Sequence, residues 1–93
     1  MSLLLWMLLG AFAGAVVYQS YVEHITKQSA LQAAKNAMNA DELKKALKAR
    51  IKEKTATSIK LDVLDSMSNS ICEVVITGQD VAQDVVSGSV IYV

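Results

Sequence analysis

Residues 3–18 read LLLWMLLGAFAGAVVY, an apolar run without a charged side chain. As an α-helix rising about 1.5 Å per residue, this run and the next few residues would extend roughly 24–30 Å, close to the hydrocarbon thickness of a bilayer. Trp6 near one end and Tyr18 and Tyr21 near the other occupy positions typical of interfacial aromatic residues. The run therefore predicts a membrane anchor over residues 1–22. A cleaved signal peptide is the competing interpretation, which we disfavour because no Lys or Arg precedes the run.

The composition of the 93-residue chain also favours a membrane protein. Hydrophobic residues make up 53% and charged residues 19%, which is more apolar and less charged than an ordinary globular domain. One cysteine and one histidine exclude a disulfide framework within the chain and a Cys/His zinc site, which needs about four ligands. Nine basic and nine acidic residues cancel, so the net charge does not favour nucleic-acid binding.

Residues 23–54 predict an amphipathic helical stalk. This part contains neither glycine nor proline, and good helix formers dominate it. Asn39 and Glu42 stand at the N-cap and N3 positions of a capping box. The stalk is therefore either one bent rod or two helices, over residues 19–38 and 40–54.

Residues 55–93 predict a small β-rich module of about three strands. Residues 58–63 alternate polar and apolar, residues 71–77 are mostly β-branched, and residues 90–93 form a third apolar run. Residues 81–86 fit a short helix or a strand. Three side chains of the second strand are expected on one apolar face: Cys72, Val74 and Ile76. The predicted fold class is thus an α+β membrane protein with one N-terminal transmembrane helix, a stalk and this module.

The module is too small to supply a core of its own, because units of about 40 residues usually need a disulfide, a metal or a partner. It must pack on its own helix, on sister copies or on another protein. The last strand, SVIYV, is expected to have a free edge suited to pairing with a neighbour.

Charge is divided between two segments. Residues 20–60 carry nine basic and four acidic side chains, and residues 61–93 carry five acidic side chains and no Lys or Arg. A basic face is predicted at Lys44, Lys45, Lys48 and Lys52. It is interpreted as a solvated face, as a site for anionic lipid or nucleic-acid phosphate, or as a docking face for an acidic neighbour. The matching acidic partner face is predicted at Asp62, Glu73 and Asp84.

Small residues in the apolar run form a second candidate contact. Gly10 and Gly14 make a GxxxG pattern, and Ala11 and Ala15 add a parallel pair. Small residues at this spacing let membrane helices approach closely. The pattern predicts helix packing between copies.

No catalytic or metal-ligating constellation is present in the sequence, and we expect neither an enzyme nor a cofactor. His24 is interpreted as an interfacial polar residue and Cys72 as a buried, unreactive thiol. The predicted function is a membrane-anchored structural subunit of a multi-copy complex, either a membrane-spanning machine or a membrane-containing virion. Its expected partners are the lipid bilayer, further copies of itself and other proteins of the assembly, with nucleic acid a weaker candidate.

Two alternative functions remain, a small membrane-permeabilising protein of the holin or toxin type and a membrane-tethered adaptor. The basic residues all follow the apolar run, so the positive-inside rule predicts a single-pass protein with its C-terminal bulk on the cytosolic or virion-interior side.

Overall fold

The computed structural model describes residues 16–93, which form seven strands and two helices. In chain order these are β1 (Val17–Tyr21), β2 (His24–Ile25), α1 (Lys27–Ala37), α2 (Ala40–Lys45), β3 (Lys48–Lys54), β4 (Ser58–Leu64), β5 (Ser70–Thr77), β6 (Asp80–Val81) and β7 (Val90–Tyr92). Five strands form one sheet in the order β1-β5-β4-β3-β7, and β2 pairs with β6 separately. β1 runs parallel to β5, whereas the other neighbours in the large sheet are antiparallel. The edges of this sheet, within the described residues, are therefore β1 and β7.

One side of the sheet, called here the core face, carries the hydrophobic core. Its central row joins Ile51, Leu61 and Val74, which lie opposite one another on β3, β4 and β5 and are fully buried. Helix α1 contributes three small buried side chains to the same cluster: Ala30, Ala33 and Ala34. Alanine side chains allow the helix axis to lie close to the sheet, so an 11-residue helix is sufficient to cover this part of the core face.

Local signals define both helices. Thr26 caps α1 by accepting a hydrogen bond from the Ser29 backbone N–H, and the Ser29 hydroxyl accepts one from the Thr26 backbone N–H. Asn39 and Glu42 form the predicted capping box of α2, with the Glu42 N–H donating to Asn39 Oδ1 at 2.8 Å. These caps satisfy backbone donors that the first helical turn leaves without partners.

Gly78 directly follows β5 and lies against the backbone of Val22 and Glu23. A Cβ atom at this position would lie 2.0 Å from the backbone oxygen of Val22. Only glycine permits this approach, which brings β2 beside β6. Residues 82–89, called here the strap, then cross from β6 to β7. Val85 of the strap is fully buried in the core, and Lys54 Nζ donates to the Val85 backbone oxygen at 2.6 Å.

The predicted fold class is wrong. The end of the predicted anchor is strand β1, which pairs with β5, and the predicted stalk contains β2, two short helices and β3 in place of a rod. As one helix, residues 40–54 would place Leu43, Leu47 and Ile51 on one face, because these residues are four positions apart. Instead, Leu43 and Leu47 are exposed, and Ala49 and Ile51 are buried with the two-residue period of a strand. Pairing with β4 supplies the backbone hydrogen bonds that make β3 a strand, so a non-local contact overrides the local helix preference.

The predictions of a membrane-spanning segment and of a single-pass location must be corrected with the fold class. Within residues 16–93, no helix combines the length and the apolar character needed to cross a bilayer. The remaining part of the predicted anchor lies outside the described residues, as do the predicted packing residues Gly10, Ala11, Gly14 and Ala15.

The predictions for the C-terminal part are confirmed for three strands. Those over residues 58–63, 71–77 and 90–93 correspond to β4, β5 and β7. Cys72, Val74 and Ile76 all lie in the core, as their alternation predicted. Residues 81–86 form neither a helix nor a full strand, because only Asp80–Val81 pairs, with His24–Ile25.

Candidate functional site

Strand β7 forms one edge of the sheet and is held in place by its antiparallel partner β3. Gly88, with φ of +91°, turns the strap toward the sheet, and its N–H donates to the Ile51 backbone oxygen at 2.7 Å. The Ile51 N–H donates to Ser89, and the Val93 N–H donates to Leu47, both at 2.9 Å. β7 is thus fastened at both ends.

The direction of the β7 backbone groups follows from these bonds. In an antiparallel pair, hydrogen-bonded and non-hydrogen-bonded residue pairs alternate. The bonds of Ser89 and Val93 to β3 lie two residues either side of Ile91, so Ile91 also faces β3. Val90 and Tyr92 therefore direct their backbone N–H and C=O groups away from β3. Among residues 16–93 no strand pairs with this outer side.

The side chains of this edge are apolar and exposed. Val90 is 38% exposed and Tyr92 is 68% exposed, and they project from the same face of the sheet because they are two residues apart. Leu47, whose backbone oxygen accepts from Val93, is also exposed. Residues 86–93 carry no charged side chain and no proline, so of the features that usually protect an edge strand β7 has only its short length of three residues. We call Val90, Tyr92 and the outer backbone of β7 the edge surface.

The opposite side of the sheet from the core, called here the polar face, carries an ion-pair cluster. Glu73 of β5 is 2% exposed, and its Oε2 accepts a hydrogen bond from Lys52 Nζ at 2.7 Å. Lys60 Nζ, also buried, lies 3.6 Å from Glu73 Oε1, an atom without a hydrogen-bond partner among residues 16–93. The hydrogen bond to Glu73 raises the pKa of Lys52.

A second ion pair extends this cluster along the polar face. Asp62 lies directly opposite Arg50 on β3 and Glu73 on β5. Arg50 Nη2 is 3.7 Å from Asp62 Oδ2, and the Ser70 hydroxyl donates to Asp62 Oδ1 at 2.5 Å. Both buried carboxylates are therefore held by groups of their own chain, and the arrangement links β3, β4 and β5.

His24 lies at the small two-stranded sheet, away from the cluster. Its Nδ1 is 3.0 Å from Asp80 Oδ1, and its Nε2 is 3.2 Å from Glu23 Oε1. The hydrogen bond to Asp80 raises the pKa of His24, and all three side chains are exposed. This contact joins β2 to the beginning of β6.

Two further titratable groups have structural contacts. The Tyr18 hydroxyl donates to Glu42 Oε1 at 2.6 Å, which raises the pKa of Tyr18 to about 12 and connects β1 to α2. Burial raises the pKa of the Cys72 thiol to about 12. At neutral pH this thiol is protonated and inaccessible, as the sequence predicted.

The structure divides both the predicted basic face and the predicted acidic face, and it brings one residue of each together, Lys52 and Glu73. Lys44 and Lys45 end α2 in exposed positions, and Lys48 begins β3. Lys52 faces Glu73 within the same chain. Asp84 is exposed on the strap, in contrast to the buried carboxylates of the polar face.

The sequence predicted the last strand to have a free edge, which the structure shows for residues 16–93, but did not indicate Arg50 and Lys60 as members of the cluster. The available signal was the charged pair Lys60 and Asp62 at alternate positions of a predicted strand, which must share one of its faces. No protein-family model, curated protein or solved structure matches the chain.

Proposed function

We propose that this chain is a non-catalytic structural subunit that assembles with further copies of itself. The observation that carries the proposal is the edge surface, an uncharged edge strand with two exposed apolar side chains and outward-directed backbone groups. A strand edge of this kind is a template for pairing with another strand.

The other polar groups and the depression of the described part of the chain do not indicate a catalytic or metal site, which favours a non-catalytic role. In the part of the chain that the structure describes, no group of three or more His, Cys, Asp or Glu side chains is arranged to hold a metal ion. The buried carboxylates at Asp62 and Glu73 are neutralised by cations of the same chain. The shallow depression between β1 and β5 is lined by Gln19, Ser20, Tyr21, Val75 and Thr77. None of these is an activated nucleophile with an adjacent base, which covalent catalysis requires.

The proposal is tested by the mass of the full-length chain in solution. Sedimentation velocity at increasing protein concentration should give a species heavier than the 10.0 kDa monomer. The double variant Val90→Lys with Tyr92→Lys places charges on the edge and should shift the chain toward the monomer. Met67→Lys is the matched control, because Met67 is even more exposed than Val90 and Tyr92 but lies in the β4–β5 turn.

Circular dichroism on the same samples establishes that the variants keep the fold. A wild-type chain that is monomeric at every concentration contradicts the proposal. Equal loss of association in the Met67→Lys variant would assign the association to general apolar contact and would also contradict it.

A further inference from the structure

We propose that the edge surface pairs with the edge surface of a second copy, antiparallel and about a two-fold axis that passes at Ile91. This inference rests on the proposed function and adds the interface and its register. Two-fold interfaces use the same patch on both subunits, so the patch must be complementary to itself. The following features of β7 meet this condition.

The backbone groups of β7 determine the register. Val90 and Tyr92 carry the outward N–H and C=O groups, and Ile91 faces β3. With the axis at Ile91, Val90 of one copy lies opposite Tyr92 of the other. The two residues of such a pair exchange two hydrogen bonds, so the two symmetry-related pairs satisfy every outward group of both strands. Shifting the register by two residues would place one of these residues opposite the turn at Gly88 or beyond the strand.

The side chains are complementary in the same register. On the polar face, Tyr92 of one copy lies beside Val90 of the other, twice in the interface, and pairs of aromatic and β-branched side chains are favourable between strands. On the core face, Ile91 of each copy lies opposite its equivalent. Ile91 already packs against the hydrophobic core, so this contact would join the two cores across the axis.

The charges of the polar face do not oppose this pairing. Lys48 lies opposite Tyr92, and Arg50 lies opposite Val90, on the inner side of β7. Across the interface Lys48 of one copy would be three strands from Arg50 of the other, about 14 Å at the usual strand spacing. This distance exceeds the Debye length of about 8 Å at physiological ionic strength. Arg50 is in addition paired with Asp62.

The β7 edge is favoured over the β1 edge because its side chains are more apolar. β7 reads VIY, whereas β1 reads VYQSY and includes the polar residues Gln19 and Ser20. The two-fold arrangement would join two five-stranded sheets into one ten-stranded sheet with β1 at each outer edge.

Single-cysteine crosslinking of the full-length chain tests the register. In the proposed pairing, Ile91 and its equivalent form a non-hydrogen-bonded pair with Cα atoms about 4.5 Å apart, within the range that a disulfide can bridge. Ile91→Cys should therefore give a covalent dimer under mild oxidation. The native Cys72 does not compete because it is fully buried.

Val93→Cys is the matched control for this experiment. In the proposed register the two Val93 residues are four strand positions apart, about 13 Å, and should give no disulfide. A crosslink through Val93→Cys, or none through Ile91→Cys in a chain whose mass shows association, overturns the inference and leaves the proposed function standing. A monomeric chain overturns both.

A second variant covers the case in which Ile91→Cys does not fold. Tyr92→Pro removes an N–H that faces away from β3, so it costs the monomer no hydrogen bond of the β3–β7 pair. It should reduce the dimer fraction and leave the circular dichroism spectrum unchanged. Retention of the wild-type dimer fraction by Tyr92→Pro would count against pairing through β7.

Discussion

On the core face of β4, Ile59, Leu61 and Val63 belong to the same cluster as the alanines of α1, whereas on its polar face Lys60 and Asp62 contact charged groups of neighbouring strands. All seven residues of β4 are buried, so exposure does not distinguish the two faces. The chemistry of their contacts does. The core face gains stability from apolar area removed from water, and the polar face must offset the cost of taking charges out of water.

This difference between the core face and the polar face shows that the fold can be stabilised by one set of contacts and its strand register specified by another. Apolar side chains pack in many arrangements of similar energy, but a buried charge requires its partner at one position. Asp62 is opposite Arg50 and Glu73 because β3, β4 and β5 are in this register. A slip of one residue would move every side chain to the other face. We infer that the core face supplies most of the free energy of unfolding and that the polar face fixes the alignment of the central strands.

The largest effect is expected on the core face. Leu61→Ala removes a fully buried side chain from the centre of the sheet and should lower the free energy of unfolding by about 4 kcal/mol, within the range for such cavities. Urea denaturation at a single protein concentration measures the change. Leu43→Ala is the control, since Leu43 is exposed on α2 and its truncation should cost about 0.5 kcal/mol or less. Similar losses in both variants would contradict the assignment of the core.

The polar face should give the next largest effect. Glu73→Gln leaves Lys60 buried without its carboxylate partner, and breaking a buried pair in this way costs about 3 kcal/mol or more. We expect a loss of about 3 kcal/mol rather than a larger one, because Lys52, the other partner of Glu73, is 36% exposed and can be hydrated. Glu23→Gln is the matched control on an exposed glutamate.

A double replacement tests whether the ion pair of the polar face stabilises the fold or only specifies the strand register. The double variant Lys60→Met with Glu73→Leu removes both charges of the buried Lys60–Glu73 pair. Replacing a buried ion pair by apolar side chains is often neutral or stabilising. We expect the double variant to recover most of the stability lost in Glu73→Gln, measured in the same urea titration. If it remains as unstable as the single variant, the ion pair itself would be a net source of stability and the comparison of the two faces would need revision.

The helical cap at Asn39 and the strands β4, β5 and β7 could be predicted from the sequence because their signals are local. Ser58–Leu64 alternates polar and apolar residues, Ser70–Thr77 is rich in β-branched residues, and Asn39 stands three residues before Glu42. Each of these patterns is contained within a few positions. The position of β7 at an edge of the sheet, which holds among residues 16–93, was also anticipated.

β1 and β3, the strands of the large sheet that the sequence did not predict, depend on distant partners. β1 lies within an apolar stretch that satisfies a helical interpretation equally well, and it is a strand because β5 pairs with it. β3 carries four cations and only one β-branched residue, Ile51, so its local preference is not that of a strand. The ion-pair cluster at Glu73 could not be predicted from the sequence either. Opposite charges in separate segments can pair within one chain or between copies, and only the register of β4 against β5 decides between them.

An ion pair on the surface completes the comparison and should give the smallest effect. His24 and Asp80 are both exposed, so solvent screens their attraction far more than it screens the buried pairs of the polar face. The hydrogen bond to Asp80 raises the pKa of His24 in the folded chain above its usual value of 6.5. The protonated histidine therefore stabilises the fold fully below that value, and this contribution is lost as pH rises through the raised pKa.

His24→Gln should consequently lower the thermal midpoint relative to wild type at pH 5.5 and have less effect at pH 8.5. Asp80→Asn should remove the same pH-dependent difference, because it deletes the acceptor that raises the pKa of His24. Differential scanning fluorimetry at the two pH values measures both variants against wild type. A His24→Gln deficit that is equal at both pH values would mean that the imidazole acts through packing rather than charge. In that case the contrast between exposed and buried ion pairs would rest on the polar face alone.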